Sequence, residues 1–329
     1  MAGIEKIVVV TKKTPLEELI ERFNSRSQAR FYLEHMGVSF EEYAQAHEAY
    51  ARAVQRLRAA LPSGVKNQFI ERGFLPTFQF GERDLVVTIG PDGLVINTAK
   101  YLTHQPILAV NPDPARVDGI LIPFTVAEMA RRLPQVLAGQ MQLRRVSMVK
   151  AELNDGQALY GVNDLFIGPR THVSARYFIQ HGKKQESQSS SGIIVSTGAG
   201  STGWLQSVVT GAVSVARGFT NSSLVSPKPE AYRLDWESKE LYFTVREPFT
   251  SKTSQASLVF GRLKPGEFLQ ITSQMPDYGV IFSDGIEKDF IAFNSGAVAK
   301  VGLAERKAHL IVPAGQNQPR RSSQQTMTR

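Results

Sequence analysis

The chain has no cysteine among its 329 residues, which excludes disulfide bonds, thiolate metal sites and a cysteine nucleophile. Its six histidines are scattered without the paired spacing of metal ligands, so we predict no metal-binding residues. No apolar run approaches the roughly 18 residues that a membrane-spanning helix needs. Neither a signal-peptide core nor an Arg/Ser-rich presequence precedes the short apolar run 7–10. We therefore expect a cytoplasmic protein without a membrane partner.

The formal net charge of +8 is mildly basic and suits polyanionic partners such as nucleic acid, anionic lipid or nucleotides. Three of the positive charges, Arg320, Arg321 and Arg329, lie in a tail from residue 313 onward that contains no acidic residue. We expect the tail 313–329 to be disordered. No cluster of Lys and Arg is interleaved with aromatic residues, so we do not expect a nucleic-acid partner.

The first part of the chain alternates strand and helix patterns. A buried strand at 6–10 is followed by a helix whose capping box is Thr14 and Glu17, and a second helix runs from Ser39 to about Leu61. An irregular connection at 65–80 then leads to two further buried strands, at 84–89 and 107–110. This order predicts a three-layer, Rossmann-like α/β domain with a mainly parallel sheet, at residues 1–124.

After residue 124 one more helix, ending at Gly139, leads into a series of strands. The predicted strands are 144–153, 159–167, 174–179, 192–196, 240–245, 255–260, 268–272 and 279–282. Two polar segments, 183–191 and 219–230, are predicted to be surface loops. A run of strands after α/β units predicts a second, β-rich and sandwich-like domain at 125–312, whose end packs back on the first domain.

One stretch combines a strand, a sharp turn and a helix, as phosphate-binding sites do. The strand 84–89 enters the turn Gly90-Pro91-Asp92-Gly93, and helical character follows at 94–102. Unpaired N–H groups and the helix dipole favour an anion at such a helix start. Asp92 would repel a phosphate, so it either serves another chemical purpose or is an ordinary turn or capping Asp.

Three further segments carry polar residues at unusual places. Asn163 and Asp164 interrupt an apolar strand, where they either pair internally or bind the hydroxyls of a ligand. The segment 196–204, STGAGSTGW, is a Gly/Ser/Thr-rich turn after a strand, suited to ribose and phosphate contacts. Ser283-Asp284-Gly285 is a turn after a strand, and an ordinary hairpin turn is its simpler interpretation.

In this order, the four segments resemble the motifs of the NAD kinases. The segment 90–94 corresponds to the family's Gly-Gly-Asp-Gly-Thr turn, and Asn163-Asp164 corresponds to its Asn-Glu/Asp pair. The segment 197–202 corresponds to its Thr-Pro-Thr-Gly-Ser-Thr-type loop, and Asp284-Gly285 corresponds to its last β segment. Other segments resemble the mitochondrial-type branch of that family. They are 9–14 (VVTKKT), 110–114 (VNPDP) with Arg116, 190–192 (SSG), Trp204 and 245–248 (VREP).

The resemblance implies an NAD kinase / diacylglycerol kinase-like fold and the transfer of the γ-phosphate of ATP to the 2′-hydroxyl of the adenosine ribose of NAD, which gives NADP. Asp92 would orient or deprotonate that hydroxyl. Mg²⁺ or another divalent cation would assist, and Lys12, Lys13 or Arg246 would contact phosphate. The implied cofactor-binding residues are Gly90, Gly93, Asn111, Asn163, Asp164, Thr197, Gly200, Ser201, Thr202 and Gly203. A homodimer or higher homo-oligomer is implied too.

Three residues depart from the family pattern. Pro91 replaces the second glycine and removes an N–H donor, while Leu94 and Ala199 each replace a hydroxyl-bearing residue. At about 0.5–1.5 kcal/mol net for each lost hydrogen bond, nucleotide binding would weaken without losing the chemistry. Two alternatives stay open: a related kinase acting on another alcohol, such as a nucleoside, sugar or lipid, and a non-catalytic nucleotide-binding homologue. NADH as acceptor and polyphosphate as donor also stay open.

Overall fold

The structure is a computed structural model that describes residues 3–220 and 228–313. Residues 314–329 of the predicted tail 313–329, and residues 221–227 of the predicted loop 219–230, lie outside this range. Within the described residues, no helix is long and apolar enough to cross a membrane.

The first part of the chain alternates strands and helices, as predicted. In order, its elements are β1 (Lys6–Thr11), α1 (Pro15–Phe23), α2 (Arg26–His35), α3 (Phe40–Ala60), β2 (Lys66–Glu71), a 3₁₀ turn (Arg72–Thr77), β3 (Asp84–Ile89), α4 (Asp92–Ala99), β4 (Pro106–Asn111), β5 (Phe124–Thr125) and α5 (Val126–Leu137). The predicted capping box of Thr14 and Glu17 is confirmed at the start of α1.

Strands dominate the second part. In order, its elements are β6 (Gln142–Leu153), β7 (Ala158–Gly161), β8 (Asp164–Pro169), β9 (Ala175–His181), β10 (Lys184–Ser190), β11 (Ile193–Ser196), a 3₁₀ turn (Gly200–Thr202), α6 (Trp204–Thr220), α7 (Pro229–Tyr232), β12 (Leu241–Val245), β13 (Phe260–Leu263), β14 (Phe268–Ser273), β15 (Gly279–Ser283), β16 (Ile286–Ala292) and β17 (Val298–Val312).

Parallel strands in the order β2-β1-β3-β4 form the centre of the first part. Successive residues of a strand point to opposite faces, so Val8 and Val86 pack with α4, while Ile7 and Leu85 pack with α3 and α5. The predicted three-layer α/β arrangement is confirmed. The predicted boundary at residue 124 stays a prediction, and α5, which follows it, packs against the first core.

The long strand β17 connects the two parts. It pairs in parallel with β4, where His309 faces Pro106, and antiparallel with β6 and β14, which extends the large sheet through β9 to β10. A second, antiparallel sheet runs β13-β12-β11-β8-β15-β16. The two sheets enclose one apolar core, in which Tyr177 and Val301 of the first sheet meet Leu165 and Phe243 of the second. The β-rich, sandwich-like prediction is confirmed.

The structure corrects several local predictions. Residues 183–191 are not a loop, because β10 pairs along its whole length with β9. The connection at 65–80 contains β2 and a 3₁₀ turn, and the strand predicted at 255–260 begins only at residue 260. The single strand predicted at 159–167 is two strands in different sheets, since the chain bends between β7 and β8. Helix α2 and strands β16 and β17 were not predicted.

Candidate functional site

The turn after β3 places Asp92 at the first position of α4. Pro91 occupies the N-cap position and supplies no side-chain hydrogen bond. Both carboxylate oxygens of Asp92 accept hydrogen bonds from the loop that follows β4, at 3.0 Å from the backbone N–H of Ile120 and 3.0 Å from that of Leu121. The carboxylate therefore fixes the 112–122 loop beside the helix start. Next to it, the position of Gly93 opens onto free space.

Asn111 shapes the beginning of the same loop. Its amide nitrogen donates to the carbonyl oxygen of Val117 at 2.7 Å, and its side-chain oxygen accepts from the backbone N–H of Asp113 at 3.0 Å. The loop is thus held at one end by Asn111 and at the other by Asp92. Because β3 and β4 are parallel neighbours, Gly90, which follows β3, and Asn111, which ends β4, lie at the same edge of the sheet. This is the edge at which α/β folds bind ligands.

Asn163 and Asp164 lie where the chain bends between β7 and β8. The carboxylate of Asp284 accepts from the backbone N–H groups of Val162 at 3.1 Å, Asn163 at 2.7 Å and Asp164 at 3.3 Å. Asp284 adopts a left-handed conformation with φ of 56°, which Asp tolerates better than most residues. The turn after β15 is thus more than a hairpin turn, because it fixes the backbone of the Asn163-Asp164 pair.

The glycine-rich loop packs directly on this pair. The backbone N–H of Thr197 donates to the carbonyl oxygen of Asn163 at 2.9 Å, and its hydroxyl donates to that of Val162 at 2.5 Å. A Cβ on Gly200 would lie 2.2 Å from the carbonyl oxygen of Asn163 and 2.6 Å from Oδ1 of Asp164, so only glycine fits there. The predicted loop and the predicted Asn-Asp pair therefore form one site.

The remaining loop residues divide between the interior and the surface. The hydroxyl of Ser201 is buried, donates to the carbonyl oxygen of Gly198 at 2.7 Å and accepts from the backbone N–H of Leu234 at 3.2 Å. Thr202 and Gly203 are exposed. These two residues are the members of the loop that a ligand could reach from solvent.

The two halves of the site share one apolar cluster. Leu94 and Val95 of α4 pack in the same cluster as Val162 and Ala199. Helix α4, which begins at Asp92, therefore belongs to the same core as the segments that carry Asn163 and the glycine-rich loop. The structure brings three predicted segments into this one core, although they are far apart in sequence. The fourth, Ser283-Asp284-Gly285, is joined to the Asn163-Asp164 pair by the hydrogen bonds of Asp284.

Burial gives the acidic residues of the second half unusual proton affinities. It raises the pKa of Asp164 to about 7, and the negative charge of Asp284 adds to this effect. It also raises the pKa of Asp284 to about 6, although the three N–H donors and the charge of Lys100 oppose the rise. Oδ1 of Asp164 is buried and has no hydrogen-bond partner among the described residues. It lies beneath Gly200, where the loop backbone covers it.

Comparison with known proteins identifies relatives of the chain. No protein-family profile matches it. The NADH kinase of Arabidopsis thaliana is 28% identical over 229 residues, which cover 62% of this chain and 65% of that protein. The NAD kinase of Acinetobacter baylyi is 33% identical over 129 residues, which cover 37% of this chain and 41% of that protein. The chain is related to the NAD kinases. It spans less than two thirds of the length of these relatives.

Two solved NAD kinase family structures share the fold. An NAD kinase from Archaeoglobus fulgidus in complex with ATP aligns with a TM-score of 0.53 at 13% identity, covering 93% of both chains. Yeast NADH kinase complexed with NADH aligns with a TM-score of 0.54 at 14% identity, covering 95% of this chain and 84% of the other. At such low identity the likeness concerns the fold, and it confirms the predicted NAD kinase-like architecture.

Two of the three departures from the NAD kinase motif are residues of the apolar core. Leu94 is 2% exposed, and Ala199 is half-buried against the same cluster. A Cβ on Gly90 would lie 2.9 Å from Cδ2 of Leu94, so the leucine fills the space beside this glycine. Leu94 and Ala199 therefore support packing where the family pattern has hydroxyl groups, and Pro91 is the departure that faces away from this core.

The three basic residues expected near phosphate lie in different places. Lys13 forms an ion pair with Glu21, at 2.7 Å between Nζ and Oε1. The backbone N–H of Arg246 donates to Gly192, and its guanidinium lies over the ring of Trp204, the residue after Gly203. Lys12 follows β1 at the same sheet edge as Gly90, and forms no ion pair among the described residues. Of the three, Lys12 has the placement that a phosphate contact needs.

Sequence reasoning did not single out Tyr50, which connects two parts of this edge. Its hydroxyl donates to the carbonyl oxygen of Ile89 at 3.1 Å and accepts from the backbone N–H of Lys12 at 3.0 Å. Burial raises its pKa to about 12, so the hydroxyl stays protonated. Tyr50 lies within the helical pattern of α3, where an aromatic residue is ordinarily a packing residue, and no local signal indicates its polar contacts.

The described residues contain no group of three or more His, Asp or Glu side chains that could hold a metal ion. Magnesium is commonly bound by one or two carboxylates together with the phosphates of a substrate. The site has few acidic residues. This number fits a cation that is bound mainly by the phosphates of a nucleotide.

Proposed function

We propose that the chain is a kinase that transfers the γ-phosphate of ATP to the 2′-hydroxyl of the adenosine ribose of NAD. The bond between the γ-phosphorus and the β,γ-bridging oxygen breaks, a bond from the γ-phosphorus to the ribose oxygen forms, and the hydroxyl proton leaves. The single observation that carries the proposal is that Leu94, Val162 and Ala199, from three of the predicted segments, share one core in a chain related to NAD and NADH kinases.

Asp92 would orient the attacking hydroxyl and accept its proton. An ionised carboxylate offers about four acceptor sites, and the N–H groups of Ile120 and Leu121 occupy one on each oxygen. An acceptor site therefore stays available on either oxygen while the loop holds the carboxylate in one orientation. Such fixed positioning is the main contribution that a protein makes to phosphoryl transfer.

The second half of the site would hold the ribose and the rest of the dinucleotide. Asn163 and Asp164 would hold the ribose or the neighbouring part of NAD. The exposed Thr202 and Gly203 would line the dinucleotide, while Thr197, Gly200 and Ser201 would keep the loop in shape. Gly90, Gly93, Asn111 and Lys12 would lie around the ATP phosphates, with Mg²⁺ carried by those phosphates.

A direct test is NADP formation by the purified chain with NAD, ATP and Mg²⁺, with NADH and polyphosphate as further substrates. We expect Asp92→Asn to lower kcat by about 10²- to 10⁴-fold, as the loss of a general base does. The matched control is Asp155→Asn, which removes an exposed carboxylate from the turn between β6 and β7 and should leave kcat unchanged. No NADP from wild type, or an Asp92→Asn variant with wild-type kcat, would refute the proposal.

The same proposal includes a homodimer or higher homo-oligomer. Helix α6 supports it, because two of its large apolar side chains lie at the surface: Val215 is 60% exposed and Phe219 is 89% exposed. Light scattering of the purified chain measures its mass in solution, and a monomer at assay concentration would contradict this part. A cytoplasmic location and the resemblance to the mitochondrial-type branch stay predictions.

A further inference from the structure

A buried lysine lies between the two halves of the site. Lys100 follows the last turn of α4, the helix that begins at Asp92, and its side chain is only 2% exposed. Its ammonium group is 2.6 Å from Oδ2 of Asp289 and donates a hydrogen bond to the hydroxyl of Ser283 at 3.3 Å. A buried charge is costly unless it is paired, so such a lysine persists only where its partners are fixed.

The partners of Lys100 are themselves well held. Asp289 also accepts a hydrogen bond from the hydroxyl of Tyr101. Burial alone would raise the pKa of Asp289, but the hydrogen bonds from Lys100 and Tyr101 outweigh it and keep that pKa below its ordinary value. Arg306 of β17 donates to the main-chain carbonyl oxygen of Lys100 at 2.6 Å. The end of α4 is thus fixed to β16 and to β17.

The contact of Lys100 with Ser283 lies next to the residue that holds the Asn163-Asp164 pair. Ser283 precedes Asp284, the residue whose carboxylate accepts the N–H groups of Val162, Asn163 and Asp164. The positive charge of Lys100 also favours the ionised form of Asp284. One short path therefore runs from the helix of Asp92, through Lys100 and the turn after β15, to the backbone of the Asn163-Asp164 pair.

We propose that Lys100 is a positioning residue, whose buried ammonium group fixes the Ser283-Asp284 turn and thereby sets Asn163 and Asp164 relative to Asp92. Lys100 does not contact the reacting atoms. It sets the distance between Asp92, which would activate the ribose hydroxyl, and Asn163 and Asp164, which would hold the ribose. The expected change in KM for NAD rests on the proposed function. The expected change in the backbone of residues 162–164 rests on the geometry alone.

The test compares Lys100→Met with the double variant Lys100→Met/Asp289→Asn. The single variant leaves the carboxylate of Asp289 buried without a cation and is expected to lose stability. The double variant removes both charges and should recover most of that stability. In both proteins we expect hydrogen-exchange protection of the 162–164 amides to fall, and KM for NAD to rise, each by about tenfold or more. KM for ATP should change much less.

Lys6→Met is the matched control. Lys6 pairs with the buried carboxylate of Asp84 at 3.1 Å, in β1, so its loss also leaves a buried carboxylate without its cation. It should lower stability without changing the protection of residues 162–164 or KM for NAD. Wild-type protection and KM in the double variant would overturn the inference. If wild type forms no NADP, the proposed function fails, and the exchange measurement still decides the role of Lys100.

Discussion

Oδ1 of Asp92 and the backbone N–H of Leu121 form a hydrogen bond of 3.0 Å across 29 residues of sequence. The contact makes the start of α4 and the loop after β4 a single unit. The orientation of the proposed catalytic carboxylate therefore depends on the shape of a loop that supplies backbone atoms alone.

Gly119→Ala tests this dependence. A Cβ on Gly119 would lie 1.9 Å from Cγ1 of the buried Ile122 and 3.0 Å from Oδ1 of Asp92, so the loop has to shift. We expect the free energy of unfolding to fall by about 1–3 kcal/mol, and kcat to fall by about tenfold or more because the carboxylate loses its fixed orientation. Urea unfolding and steady-state kinetics measure the two effects.

Gly64→Ala is the control for that variant, since no atom lies within 4 Å of its added Cβ. It should leave both quantities near their wild-type values. A Gly119→Ala protein with wild-type kcat would mean that the loop does not orient Asp92.

The sequence predicted the elements of the site better than their contacts. Asp92, Asn163 and Thr197 stand out locally, because glycine-rich turns and polar residues in apolar strands are visible in the sequence. The roles of Asp284 and Lys100 depend on pairings across more than 100 residues, for which a single sequence carries no signal. The one local feature of Lys100 is its position directly after the apolar helix α4. A lysine at such a position is more often exposed to solvent.

Strand β10 is a polar strand whose sequence is typical of a surface loop. Its inward residues are Glu186, Gln188 and Ser190, all buried, so its alternation does not appear as a hydrophobic pattern. The carboxylate of Glu186 accepts the backbone N–H groups of Ser257 and Leu258, which otherwise would lack partners. The buried side of β10 is therefore stabilised by hydrogen bonds of polar side chains, where other strands bury apolar side chains.

Pro91→Gly restores the N–H that the NAD kinase motif has at this position. If that group faces the ATP phosphates, one ordinary hydrogen bond of about 0.5–1.5 kcal/mol lowers KM for ATP by about two- to thirteenfold. The added glycine also makes the unfolded chain more flexible, so we expect a loss of stability of about 0.4–1 kcal/mol. Initial rates at varied ATP concentration and urea unfolding separate the two effects.

Pro62→Gly, in the connection after α3, is the control for the added flexibility of the unfolded chain. It should leave KM for ATP unchanged. An unchanged KM in Pro91→Gly would show that this backbone position does not contact the nucleotide.

The raised pKa of Asp164 predicts a specific dependence of stability on pH. Its pKa is about 7 in the folded chain and near 3.8 when unperturbed, so the native state binds more protons than the unfolded state between these values. Stability contributed by protonated Asp164 is therefore present at low pH and is lost as the pH rises towards 7. Asp164→Asn removes this titration. The wild type should lose stability relative to the variant over this window, by at most about 4 kcal/mol.

Urea unfolding of both proteins between about pH 4.5 and pH 8 measures the difference. Asp284, with a pKa raised to about 6, is coupled to Asp164 through its charge, so the difference between the two proteins reports Asp164 together with this coupling. Asp155→Asn is the control, because hydrogen bonds from Gln157 lower the pKa of Asp155 and its titration falls below this window. Parallel pH profiles for wild type and Asp164→Asn would mean that Asp164 stays ionised in the fold. The unpaired Oδ1 would then belong to a buried charge without a hydrogen-bond donor, a costly arrangement that the rest of the fold has to offset.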